Sequence, residues 1–192
     1  MVSAAVVIIA AVVVFFLFFY KGNSGSSQPV LIVNGESIPL ELSGFAYGEV
    51  DMGSYGYVAV FMGRKGTELY SVQALFLTDE DPTCPSANTT YDALSTRYED
   101  TVAVQFNYMD SSKGTEIYAA SYDGGYDRAE VSVGNFKPNE KMEISISGKA
   151  SDDGLTFDFS VSGNMEYFSN SVDLSNKLDS IVESVNNSAN NT

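Results

Sequence analysis

From Thr101 to Met109 the chain alternates with period two. Val102, Val104, Phe106 and Tyr108 fall on one face, and Ala103, Gln105 and Asn107 on the other. Leu155, Phe157, Phe159 and Val161 alternate in the same way with Thr156, Asp158, Ser160 and Ser162. Met142, Ile144 and Ile146 alternate with Glu143, Ser145 and Ser147. Strict alternation is the mark of half-buried antiparallel strands, one face packed and one wetted. Val30 to Val33 followed by Asn34-Gly35 is a strong hairpin signal, because both turn positions tolerate positive φ. Further breaks fall at Asp110 to Gly114, Asp123-Gly124-Gly125, Lys137 to Glu140 and Ser151 to Gly154. The pattern predicts strands near 30–33, 37–42, 45–50, 55–62, 67–77, 101–109, 115–122, 128–136, 141–149 and 155–163. Near the end the period changes. Val172, Leu174, Leu178, Ile181, Val182 and Val185 recur at helical spacing behind Asn170 and Ser171, either of which suits a helix N-cap. This short helix is expected to lie on the head, and the polar stretch 186–192 to fray.

The first twenty residues follow neither period. Met1 to Tyr20 carry no charge, and Ser3 is the one polar side chain before Tyr20. At about 1.5 Å per residue a helix of this length spans roughly 30 Å, a bilayer's hydrocarbon thickness. A cleaved secretory signal fits poorly, since no Lys or Arg precedes the run and its end is bulky: Phe15, Phe16, Leu17, Phe18, Phe19, Tyr20. A signal anchor fits the length, but anchors keep basic residues on the cytoplasmic side, and the only nearby charge, Lys21, follows the run. The aromatic end suits an interfacial belt with Lys21 snorkelling behind it, or a seal beneath the head of a filament. Residues 22–29, GNSGSSQP, then read as a flexible linker, with Gly22 suited to the position past the last helical turn. The expected organisation is a hydrophobic helix over 1–21, the linker, a β-rich head over 30–185 and a polar tail. The fold class is mainly β: an N-terminal helix, an antiparallel β-sandwich compatible with an immunoglobulin-like architecture, and a short C-terminal helix. The immunoglobulin markers themselves are missing, since there is no Trp and only one Cys.

The stretch MVSAAVVIIAAVVVFFLFFY resembles the start of a mature type IV pilin, particularly of the archaeal kind. In that family a basic leader is removed just before an uncharged helix, which leaves the membrane and bundles with its neighbours in a filament core. The resemblance implies that Val2, Ala4, Ala5, Val6, Val7, Ile8, Ile9, Val12, Val13, Phe15, Phe16, Leu17, Phe18 and Phe19 form that core. Small and β-branched residues in the first half permit close helix contact. Two positions depart from the family pattern. Bacterial pilins usually carry a glutamate where this chain has Ala5, and the apolar run stops at Tyr20, short of the family's usual helix.

Composition narrows the function classes. With 25 Asp plus Glu against 10 Lys plus Arg the formal net charge is −15, which disfavours a nucleic-acid partner. There is no His, hence no imidazole base, no Ser-His-Asp triad and no histidine metal ligand. No phosphate loop or dinucleotide fingerprint occurs, so neither catalysis nor a cofactor is expected. Cys84, flanked by Pro82 and Pro85, cannot form an intrachain disulfide and reads as a buried or inert thiol. Asn88, Asn186 and Asn190 open N-glycosylation sequons. Three acidic groups are weak calcium candidates: Asp79 with Asp81, Asp123 with Asp127, and Asp152-Asp153. The first is favoured, though none has EF-hand spacing and each also reads as a solvated turn.

Two functions from different classes remain. One is a structural subunit of an extracellular, cell-surface filament, a homopolymer of this chain that is membrane-inserted before assembly. Its β-heads would lie outside, with Tyr and Ser/Thr surfaces contacting neighbours or substrata. The other is a single-span, membrane-anchored adhesin whose head loops bind a ligand. The filament is preferred, because an anchor wants basic residues before its span and a processed subunit does not. Within it, the hairpin over 29–42 reads as an ordinary intrachain hairpin rather than a strand donated to the next subunit.

Overall fold

Asn34 and Gly35 make the turn that the sequence demands, at φ +50° and +79°, and they close a hairpin between residues 30–33 and 36–38. Asn34 secures this turn against a distant strand: its side-chain Oδ1 accepts from the Asp158 N–H at 2.8 Å, and its backbone N–H donates to the Asp158 carbonyl at 2.7 Å. The computed structural model describes residues 29–50, 53–94, 102–122, 124–169 and 171–189. The helix expected over 1–21, most of the linker and Asn190 lie outside the described residues. Among the described residues no helix is long and apolar enough to cross a membrane.

The strands are β1 (Val30–Val33), β2 (Glu36–Ile38), β3 (Leu40–Glu49), β4 (Tyr55–Lys65), β5 (Glu68–Leu77), β6 (Thr89–Asp92), β7 (Val102–Asp110), β8 (Thr115–Ala120), β9 (Tyr126–Val133), β10 (Met142–Asp152) and β11 (Leu155–Phe168). Among the described residues one helix, α1 (Ser171–Ala189), follows. The protein is therefore mainly β, with a C-terminal helix. All strands belong to one sheet, ordered β6-β9-β10-β11-β3-β4-β5-β7-β8, with the β1-β2 hairpin added on β11. Every pairing is antiparallel except that of β11 with β3. β11 runs along β10 as far as Met165, then joins β3 in parallel through Glu166, Tyr167 and Phe168. That one long strand links the two halves of a curled sheet.

The curl turns the apolar faces of the two halves toward each other. Phe106 of β7 stacks on Phe159 of β11 at 4.9 Å between ring centres, and Tyr108 meets Phe157 at 5.2 Å. Around them Phe45, Phe61, Phe76, Ile144, Ile146 and Val161 are buried in one continuous core. A second core lies on the outer face of β3, β4 and β5. There Leu174, Leu178, Ile181 and Val185 of α1 cover Leu42, Ala46, Val60 and Met62. The apolar stripe read from the sequence thus docks on the head as expected. The helix itself runs past Val185 to Ala189, into the stretch expected to fray.

Several element boundaries differ from the sequence reading: β11, expected to end near 163, runs on to Phe168, β4 runs to Lys65, and β9 covers Tyr126–Val133 rather than 128–136. The break expected at Ser43-Gly44 falls instead at Pro39, which has no N–H to give a ladder. Gly44 lies inside β3, paired with Val60 and Glu166, and its lack of a side chain leaves room for the Phe168 ring, which a Cβ there would approach to 2.2 Å. The sequence reading also has no counterpart to β6. Its residues Thr-Thr-Tyr-Asp carry no apolar alternation, and its one partner is β9.

Candidate functional site

At one end of the β3-β4 hairpin the inner face of the sheet runs out from the core toward solvent. The cross-strand register sets Tyr47 opposite Tyr57, with Tyr55 two residues further along the same face. Phe45, fully buried, begins a continuous series of rings. It packs edge-on against Tyr167 of β11 at 5.1 Å and lies 6.3 Å from Tyr57. Tyr57 meets Phe136, from the loop between β9 and β10, at 5.1 Å, and Tyr47 at 4.7 Å. Tyr47 in turn lies 6.3 Å from Tyr55. Exposure rises along the series to 39 % at Tyr47 and 53 % at Tyr55. The result is an aromatic floor at the mouth of the curled sheet.

Two open depressions share Tyr167. One of about 440 Å³ is lined by Asn135, Asn139, Glu140, Lys141 and Glu166. The other, of about 520 Å³, lies at Phe168 and the start of α1 and is lined by Ser169, Asp173, Asn176 and Lys177. Lys141 pairs with Glu166, and Lys177 sits 5.2 Å over the Phe168 ring. The Tyr55 N–H donates to Asp79 Oδ2 at 3.0 Å, which ties the outer end of the floor to the loop after β5. Burial, and then the neighbouring Tyr167 and Tyr47, hold the Tyr57 phenol above its ordinary pKa. It therefore remains protonated and available as a hydrogen-bond donor.

A second surface lies on the outer face of the half formed by β6, β9, β10, β11 and β1. Thr90, Ser132, Ser145, Ser162 and Val30 fall into one cross-strand row. Ser147, Ser160, Ile32 and Ser37 form part of the next. Thr90 Oγ1 and Ser132 Oγ are hydrogen-bonded at 2.8 Å. Val30 and Ile32 stand exposed at 46 % and 39 % beside these hydroxyls. Exposed Asp92 and Glu130 continue the second row, and beyond it Arg128 pairs with Asp158 and Lys149 with Asp127.

The residues singled out from the sequence are dispersed. Asn88 is exposed in the turn before β6, at φ +57°, on the rim of a depression of about 600 Å³ on the hydroxyl face. Asn186 is exposed on α1. Asp79 caps Tyr55, and Asp81 Oδ1 accepts from the Thr83 N–H and hydroxyl at 2.9 and 2.7 Å. The Thr83 hydroxyl, then its amide, hold the Asp81 carboxyl below its ordinary pKa. Both carboxylates of the favoured calcium candidate thus secure local turns. Asp152 accepts from the Tyr118 N–H and Asp127 pairs with Lys149, while Asp123 lies outside the described residues. Among the described residues no three acidic or thiol groups converge as a metal site would require. Cys84 is buried, 2 % exposed.

The strongest concentration of titratable groups is elsewhere. Asp110, 1 % exposed, accepts from Thr67 Oγ1 and from the amide and hydroxyl of Ser112, and pairs with Lys113 at 2.6 Å. Nearby, Glu68 accepts from the hydroxyls of Tyr70 and Tyr108, both at 3.1 Å. The chain's own donors occupy these carboxylates, which makes the cluster a structural knot at the end of β5 and β7. The aromatic floor was not singled out residue by residue from the sequence. Tyr55-Gly56-Tyr57 has the right period, but its partners lie in β3, the loop after β9 and β11. No family model, curated protein or solved structure matches this chain.

Proposed function

We propose that the protein is a structural subunit of an extracellular, pilus-like filament of the archaeal type IV kind. In this reading the N-terminal run is a helix buried among copies of itself, and the β-rich heads, each a single curled sheet rather than an immunoglobulin-like sandwich, coat the outside. The carrying observation is the sequence of three parts: an uncharged run of twenty residues, a Gly/Ser linker, and a head that forms two apolar cores of its own. Burying twenty apolar residues away from water is worth tens of kcal/mol at about 25 cal/mol per Å². Measured against lipid the gain is far smaller, so helix packing and head contacts set the register. The chain waits in the membrane before assembly, and its work is mechanical rather than catalytic. Its partners are copies of itself, and the aromatic mouth and the hydroxyl face serve attachment and neighbour contact.

Electron microscopy of material sheared from native cells tests this, with mass spectrometry of its N-terminal peptide. Thin filaments built from this chain, with the apolar segment intact, are expected. Recovery only from detergent-extracted membranes, without filaments, overturns the proposal in favour of an anchored surface domain.

A further inference from the structure

We propose that the folded head carries an N-linked oligosaccharide on Asn88, and that its first sugars rest in the depression on the hydroxyl face. This rests on the filament reading only for display of the head outside the cell. Sequons occur at Asn88, Asn186 and Asn190, and the structure separates the two that it describes. An acceptor asparagine must be presented together with the hydroxyl two residues on. Asn88 closes the turn before β6, an edge strand whose one partner among the described residues is β9. Asn88 and Thr90 are both exposed, and both line the same depression. Asn186 lies inside α1, where positions two apart diverge around the helix axis.

The turn accounts for the residue type at 88 but leaves its side chain unused. Asparagine tolerates the left-handed φ of +57°, and the backbone N–H donates to the Gly134 carbonyl at 3.0 Å. Among the described residues the side-chain amide has no hydrogen-bond partner. The depression beside it, about 600 Å³, is lined by Thr90, Ser132, Glu143, Ser145, Ser162 and Asn164. Hydroxyls and amides both donate and accept, which matches the hydroxyl rim of a sugar. The neighbouring row with Ser147 and Ser160 does not line this depression. Rooted one residue before β6, the glycan also stands beside that strand's open edge, where an unpaired ladder invites another chain.

The transfer needs a membrane oligosaccharyltransferase and an oligosaccharide carried on a polyprenyl phosphate or pyrophosphate. The Asn88 amide nitrogen attacks C1 of the first sugar. The N–C1 bond forms as the C1–O bond to phosphate breaks, the polyprenyl phosphate leaves, and the amide gives one proton to the transferase. No group is oxidised or reduced.

Site-resolved peptide mass spectrometry of the full chain from its native cells tests the proposal. Asn88 is expected to carry an added oligosaccharide mass on most copies, and Asn186 none. Produced in the same cells, Asn88→Gln and Thr90→Val should lose that mass, while Thr90→Ser, which keeps the hydroxyl, retains it. Far-UV circular dichroism verifies that each variant head is folded. A bare Asn88 in native protein, equal modification of Asn186, or retention of the mass by Thr90→Val overturns the proposal. Placement in the depression is read from Ser145→Cys, with the native Cys84 buried. In detergent-dissociated chain, maleimide should label this thiol about tenfold more slowly with Asn88 intact than beside Asn88→Gln. Equal rates overturn the placement. Electron microscopy of the same material keeps the two readings apart. A glycan on Asn88 in chain that forms no filaments sustains this proposal while sinking the filament reading, and filaments of unmodified chain do the reverse.

Discussion

Asp110 shows how one carboxylate can hold the end of two strands. Lys113, then the Ser112 hydroxyl, depress its pKa against the opposing effect of burial. A carboxyl depressed in the folded state contributes stability above its unfolded pKa of about 3.9, and the contribution drains as pH falls from there toward the folded value. Asp110→Asn keeps the shape and one acceptor but loses the charge. It should cost about 2 kcal/mol near neutral pH. The gap between the two proteins should hold down to about pH 5 and narrow below about pH 4. Denaturant titrations followed by circular dichroism at several pH values measure this. A gap of unchanged size in acid would mean that packing, not charge, carries the effect. Glu41 has the opposite sign: burial raises its pKa, with Arg64 partly offsetting. Its charged form therefore opposes folding as pH rises.

At the scale of elements, close backbone approach governs the β4-β5 pair. A Cβ at Gly56 would lie 2.1 Å from the Phe76 carbonyl oxygen, a backbone atom that cannot rotate aside. Gly56→Ala should therefore force the two strands apart and cost about 3 kcal/mol, the upper range for overpacking. Because Gly56 sits between Tyr55 and Tyr57, the same variant should also alter the near-UV tyrosine circular dichroism. A melting temperature equal to that of the parent would show that the strands are not held this closely. The amphipathic stripe of α1 was legible in the sequence because its spacing is local. That it covers β3, β4 and β5, rather than a neighbouring subunit, depends on apolar residues more than a hundred positions earlier in the chain.

For the whole molecule, the two outer faces of the curled sheet differ. One is covered by α1 and the other is paved with hydroxyls. In a chain of net charge −15, copies meet with least repulsion where charge is sparse, and on this face the row Thr90, Ser132, Ser145, Ser162, Val30 carries none while the next holds Asp92 and Glu130. If the filament proposal holds, the linker that precedes Pro29 and Val30 in the sequence keeps neighbouring heads at high effective concentration. Ser160→Cys places a thiol on this exposed surface, while the native Cys84 is buried and gives little background. If the filament proposal holds, maleimide should label this thiol about tenfold more slowly in filaments than in detergent-dissociated chain. Equal rates would remove the hydroxyl face from the assembly contacts. Slow labelling in both states would point to cover from the chain's own N-terminal segment.

The sequence by itself determined most of the strands, the turns between them and the C-terminal helix, but not β6 or the break between β2 and β3. Period-two alternation, the Asn34-Gly35 turn and the stripe from Leu174 to Val185 all act within a few residues, where side-chain direction and allowed φ are set by the local backbone. Pro39 and Gly44 mark where that reading failed. A proline's missing N–H outranked alternation, and a glycine that looked like a break was room for a distant phenylalanine. Only the tertiary structure decided the curl, the parallel joint between β11 and β3, and the mouth that follows from them. Tyr47, Tyr57, Phe136 and Tyr167 become one surface because β11 crosses between the halves of the sheet. Such a crossing depends on which faces bury each other, a long-range choice that no local period encodes.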